Sequence, residues 1–154
     1  MTCRLGASVV QQQILAQYPD ADLAVDVIWM PMLPSDARDK WDSQFLTDPR
    51  VTQLWDAERL VGRWVAQEES LQLGDTGAVV WDAFLLFGPE ATWESAPAGL
   101  LAWGTPIVGR VPQLMDALEP LLTQETPATA MLPAALAFPD RKESVVGTYG
   151  HFVA

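Results

Sequence analysis

Cysteine is almost missing from this chain: Cys3 is the only one. No disulfide can form within these residues, and no cysteine-built zinc site is possible. Basic residues are scarce too, nine Lys and Arg against twenty Asp and Glu, for a formal charge of −11. That balance repels phosphate backbones and anionic lipid surfaces, so neither a nucleic-acid nor a membrane partner is expected. No stretch approaches the roughly 20 apolar residues of a spanning helix, and the first 20 residues lack the basic start and apolar run of a secretory signal. A cytoplasmic location is therefore expected. His151, the only histidine, has no ligand set near it in the sequence and is assigned no role. Metal is expected to be absent. No Gly-x-Ser-x-Gly elbow, lysine-bearing phosphate loop or His-Glu-x-x-His pair occurs, and no cofactor is expected. Abundant acids and tryptophans could serve a glycan-processing cleft, yet no spacing selects a carboxylate pair.

What is present suits one folded domain. Of 154 residues, 49% are hydrophobic and 19% charged, enough for one core and too few for two. Three of the seven tryptophans precede aspartate, at Trp41-Asp42, Trp55-Asp56 and Trp81-Asp82. Their unequal spacing excludes a propeller, whose blades need about 40 residues each. They read as separate core-edge and capping features.

Cys3, Ala7, Val10, Ile14 and Tyr18 recur at helical intervals, so the spacing predicts a helix over Thr2–Tyr18. Thr2 is its candidate N-cap, which leaves Cys3 in the first turn near the positive end of the helix dipole. Leu23–Met32 reads as a buried strand, being short, β-branched and aromatic. Ser35, Thr47-Asp48-Pro49 and Asp56 are successive helix-capping signals, the first for a short helix with Arg38, Lys40 and Trp41, the last before the amphipathic Leu60, Val61, Trp64 and Val65. A helical insert at about 34–73 follows from them. Gly62 inside it costs roughly 1 kcal/mol against alanine and marks close packing. After a turn at Gly74–Gly77, a strand is expected over Ala78–Phe87, stopped by Gly88-Pro89, and a second over Leu100–Val108. Their short connection predicts an antiparallel pair. Val111–Leu122 reads as a helix with Pro112 near its start. Residues 123–154, rich in Thr, Pro and Ala, read as a loosely ordered or irregular arm.

The order is helix, strand, helical insert, strand, strand, helix. An opening helix with no strand before it is odd for an α/β domain, because a parallel crossover joins two strands. One strand is missing.

Cys3-Arg4-Leu5-Gly6-Ala7, Val27-Ile28-Trp29-Met30-Pro31-Met32, Trp81-Asp82-Ala83-Phe84-Leu85-Leu86-Phe87-Gly88 and the closing strand-helix unit resemble the thioredoxin-like superfamily, over roughly residues 1–122. The resemblance implies an α/β three-layer sandwich whose first strand leads into a Cys-x-x-Cys motif at the start of the first helix. Cys3 stands at the second cysteine of that motif. The first would immediately precede Met1, so the expectation is a chain that starts too late, without its first strand and attacking thiol. Selenocysteine, whose codon is read as a stop by default, is one concrete cause. An in-frame Cys or opal codon upstream, preceded by strand-coding sequence, supports this; a clean upstream stop sinks it. The resemblance also implies that the first strand is central, between the strands at Leu23–Met32 and Ala78–Phe87. Without it, the slot is left open, closed by direct pairing of its neighbours, or filled by tail residues such as Ser144–Tyr149.

Cys3 is thus the candidate catalytic residue, as the resolving thiol, with a protein or small-molecule thiol or disulfide as partner. Alone it forms a mixed disulfide or a sulfenic acid and cannot complete a dithiol cycle. The alternative for Cys3 is a small apolar residue at a frayed terminus. The superfamily's cis-proline before the third strand has no counterpart in Val80-Trp81-Asp82, and Thr105-Pro106 is a weaker substitute, since a strand proline more often marks an edge or bulge. Trp29, Trp81 and Asp82 are the candidate substrate-binding residues. Asp82 and Asp26 could accept a proton near the thiols or be hydrogen-bonded structural carboxylates. Trp29, Met30 and Met32 could line a groove or belong to the core. A redox-inactive interaction module with the same fold is the alternative function.

Overall fold

Thr2–Val9 form helix α1, which continues as a π-helical turn over Val10–Leu15 and ends where the Ala16 N–H donates to the Gln11 carbonyl at 3.0 Å. The wider turn brings Val10, Ile14 and Leu15 onto one buried face. The expected helix thus ends three residues early, at Leu15 rather than Tyr18. The computed structural model describes residues 2–40, 45–69, 78–93, 97–123 and 150–153; Trp41, the Gly74–Gly77 turn and residues 124–149 of the expected arm lie outside these.

Leu23–Trp29 form strand β1, whose odd-numbered residues are buried and whose even-numbered ones are half-buried. The expected insert is not wholly helical. A short 3-10 turn, Arg38–Lys40, is followed by strand β2, Val51–Trp55, and only then by helix α2, Leu60–Gln67. Ser35 caps no helix among the described residues; its carbonyl accepts from the Lys40 ammonium at 2.7 Å. Asp48 likewise caps a turn into a strand, its Oδ1 accepting the Arg50 N–H at 2.9 Å. Asp56 does serve α2, where its Oδ2 accepts the Val61 N–H at 2.9 Å.

Strands β3, Phe84–Trp93, and β4, Pro97–Gly104, pair antiparallel as expected, each shifted from its expected span. β3 runs through Gly88-Pro89 because its register with β4 jumps between Phe87 and Thr92, which leaves Pro89 with no ladder bond to make. A 3-10 turn, Ile107–Arg110, leads into helix α3, Val111–Leu122, on its expected residues with Leu114 and Leu118 fully buried.

The last element is strand β5, Gly150–Val153, where an irregular arm was expected. It lies in the middle of a five-stranded sheet of order β2-β1-β5-β3-β4. β5 is parallel to β1, with Leu23 opposite Gly150 and Asp26 opposite Val153, and antiparallel to β3, with Leu85 opposite Val153 and Leu86 opposite Phe152. β2 extends the sheet beyond β1 in the same direction. The slot expected between β1 and β3 is therefore filled from the tail, by residues just after Ser144–Tyr149.

Two apolar clusters cover the two faces. One joins Ala7, Val10, Ile14 and Leu15 with Val25, Val27 and Trp29 of β1, Phe84 and Leu86 of β3, and Leu114 and Leu118 of α3. The other joins Val65 of α2 with Val80, Leu85 and Phe87, and Ile28 packs against it. Helix, sheet and helix are stacked as an α/β domain.

Candidate functional site

The carboxyl end of β1 opens into a cavity of about 640 Å³. Ligands of α/β sheets commonly sit at this end of the parallel strands. Arg4 and Ala7 of α1, Val27–Met30 of β1 and the segment after it, Val61, Gly62 and Val65 of α2, and Val80–Ala83 ahead of β3 line it.

Gly62 sets the fit of α2 against the cavity wall. A Cβ there would stand 2.6 Å from the Val80 carbonyl oxygen, 2.7 Å from Val79 Cγ1 and 3.0 Å from Met30 Sδ. The same approach lets the Val80 N–H donate to the Gly62 carbonyl at 2.9 Å. This is the close packing expected of a glycine inside a helix. Gly62→Ala gains roughly 1 kcal/mol of helix propensity and loses more to backbone overlap. A net destabilisation of about 2 kcal/mol is expected in urea denaturation.

The segment before β3 is held by the one after β4. Thr105 Oγ1 donates toward the Trp81 and Asp82 carbonyls, both at 3.2 Å, and the Ile107 N–H donates to the Asp82 carbonyl at 3.0 Å. The Thr105-Pro106 bond is cis, and it lies after β4 rather than inside a strand. Asp82 has a φ of 53°, in the left-handed region, where a short polar side chain is tolerated. Its Oδ1 is buried with no hydrogen-bond partner among the described residues, beside the point where a Cβ on Gly6 would lie at 3.3 Å.

Burial pushes the Asp82 carboxyl above its ordinary value of 3.8. The folded state therefore holds the proton more tightly than the unfolded chain, and stability falls as pH rises through the raised value. Asp82→Asn keeps the shape and tolerates the left-handed backbone. It is expected to stabilise the protein at pH 7 by about 1 kcal/mol, a low figure because the residue is partly exposed. The gain should vanish below the ordinary carboxylate range, as a pair of denaturation series at pH 7 and pH 3 would show.

The other polar groups of the lining are engaged in local structure. Asp36 Oδ2 accepts the Met32 and Leu33 N–H groups at 2.9 and 2.7 Å, which holds its carboxyl below the ordinary value. The Arg4 guanidinium lies over the Phe45 ring, 4.8 Å from its centre.

Trp29 and the distant pair Trp81-Asp82 meet at this cavity, and Met30 and Met32 join them. Trp29 is also core: it is 8% exposed and its indole N–H donates to Gln53 Oε1 at 2.9 Å. Trp81, 45% exposed, and Leu33, 63% exposed, stand at the mouth. Cys3 lies in the first turn of α1, one residue before Arg4 of the lining. Asp26 is half-buried on β1 and partnered, and it does not line the cavity. Sequence reasoning missed Val65, Val80, Leu85 and Ile107 as wall residues, because each reads as ordinary core.

Among the described residues, no group of His, Cys, Asp or Glu could hold a metal ion, and no helix is long and apolar enough to cross a membrane. Comparison with protein-family models, curated proteins and solved structures finds no match to the chain.

Proposed function

We propose that the chain is a thioredoxin-like domain of a thiol–disulfide oxidoreductase lineage, with Cys3 as the second thiol of its motif. The observation that carries this reading is the central strand position between β1 and β3. Its occupant runs parallel to β1 and antiparallel to β3, the arrangement the resemblance requires of the first strand. The placement of α1 supports it as well, since Gly6 lies against Asp82 and Ile107, at the end of the sheet where the motif would sit.

The chemistry follows from the position of Cys3 in the first turn of α1. A helix start favours the thiolate, which attacks a disulfide R–S–S–R, forms Cys3–S–S–R and expels R–S⁻. A second thiolate then attacks the R sulfur, and Cys3 leaves as its thiolate. With Cys3 alone, one mixed disulfide per chain is expected and no turnover of a protein disulfide.

Reaction with an aromatic disulfide across pH tests this, Cys3→Ser giving the baseline. The rate should titrate below the roughly 8.5 of a free cysteine. A titration at or above that value would remove the redox assignment and favour the interaction module, which the 640 Å³ cavity with its exposed Trp81 and Leu33 rim also suits.

A further inference from the structure

We draw no further inference here: the strongest candidate, the apolar cavity at the carboxyl end of β1 with Trp81 and Leu33 at its mouth, belongs to the site already described, and nothing in the structure shows what covers it.

Discussion

Arg50→Ala is expected to destabilise the fold by about 3 kcal/mol, although Arg50 belongs to no site. Its guanidinium donates to the Leu15, Tyr18 and Ala21 carbonyls at 2.8, 2.7 and 3.1 Å and to both Asp48 oxygens at 2.9 and 2.8 Å. The last carbonyls of a helix have no intrahelical donor. Arg50 supplies one from the start of β2, and so ties the end of the first helix to the edge of the sheet. Hydrogen bonds to a charged group contribute about 1.5–3 kcal/mol each and are not additive, and alanine leaves several part-buried acceptors with no donor at once. Arg50→Lys should recover less than half of the loss, because one ammonium cannot serve carbonyls and carboxylate together. The loss also depends on pH. The Arg50 guanidinium holds the Asp48 carboxyl below its ordinary value of 3.8, a depressed value whose stabilisation is present above 3.8 and lost as pH falls through the lowered one. Urea denaturation at pH 7 and pH 2 should show the gap between wild type and Arg50→Ala narrowing in acid. An unchanged gap would locate the effect in the three carbonyls alone.

Arg50 also shows why part of the fold was legible and part was not. Helix α3 and the antiparallel β3–β4 pair follow from local patterns, Leu114 and Leu118 one turn apart and apolar runs broken by glycine and proline. β2 was hidden. Val51–Trp55 alternates half-buried and exposed residues as an edge strand should, but Thr47-Asp48-Pro49 carries the residues of a helix start. Whether Asp48 caps a helix or a turn depends on Arg50 folding back onto it and onto Leu15, a contact across 35 residues. The start of β3 was misplaced for a related reason. Ala78–Ala83 is apolar enough for a strand, yet its backbone is spent elsewhere: the Val80 N–H goes to Gly62, and the Asp82 carbonyl accepts from Thr105 and Ile107.

The site divides in the same way. Asp82 stood out as a carboxylate within an apolar run and Trp29 as an aromatic residue that could line a groove or belong to the core, and one cavity collects them with Trp81. Its shape could not be read, because it depends on how α1, β1, α2 and the approach to β3, distant in sequence, come together. The need for a sheet beneath the opening helix was legible from its apolar face. The use of Gly150–Val153 as its central strand was not, since no apolar run marks that stretch and only pairing with β1 and β3 selects it.

That pairing makes Phe152→Pro the most damaging single change expected. β5 is bonded on both sides, so each of its amides is directed at β1 or β3. Proline removes a donor and is excluded from central strands. Strands lie about 4.8 Å apart, so loss of β5 leaves β1 and β3 separated by roughly 10 Å, too far to pair directly. The β2–β1 and β3–β4 pairs then share no backbone bond, and two apolar edges are exposed. A destabilisation above about 4 kcal/mol is expected, seen as loss of the cooperative thermal transition and gain of apolar-dye binding. Hydrogen exchange separates a local from a global effect. Fast exchange at Ala24 and Asp26 together with whichever of Leu85 and Leu86 turns its amide toward β5 would mark β5 as the strand that joins the two halves, whereas exchange confined to residues 150–153 would mean that the halves hold together through their helices.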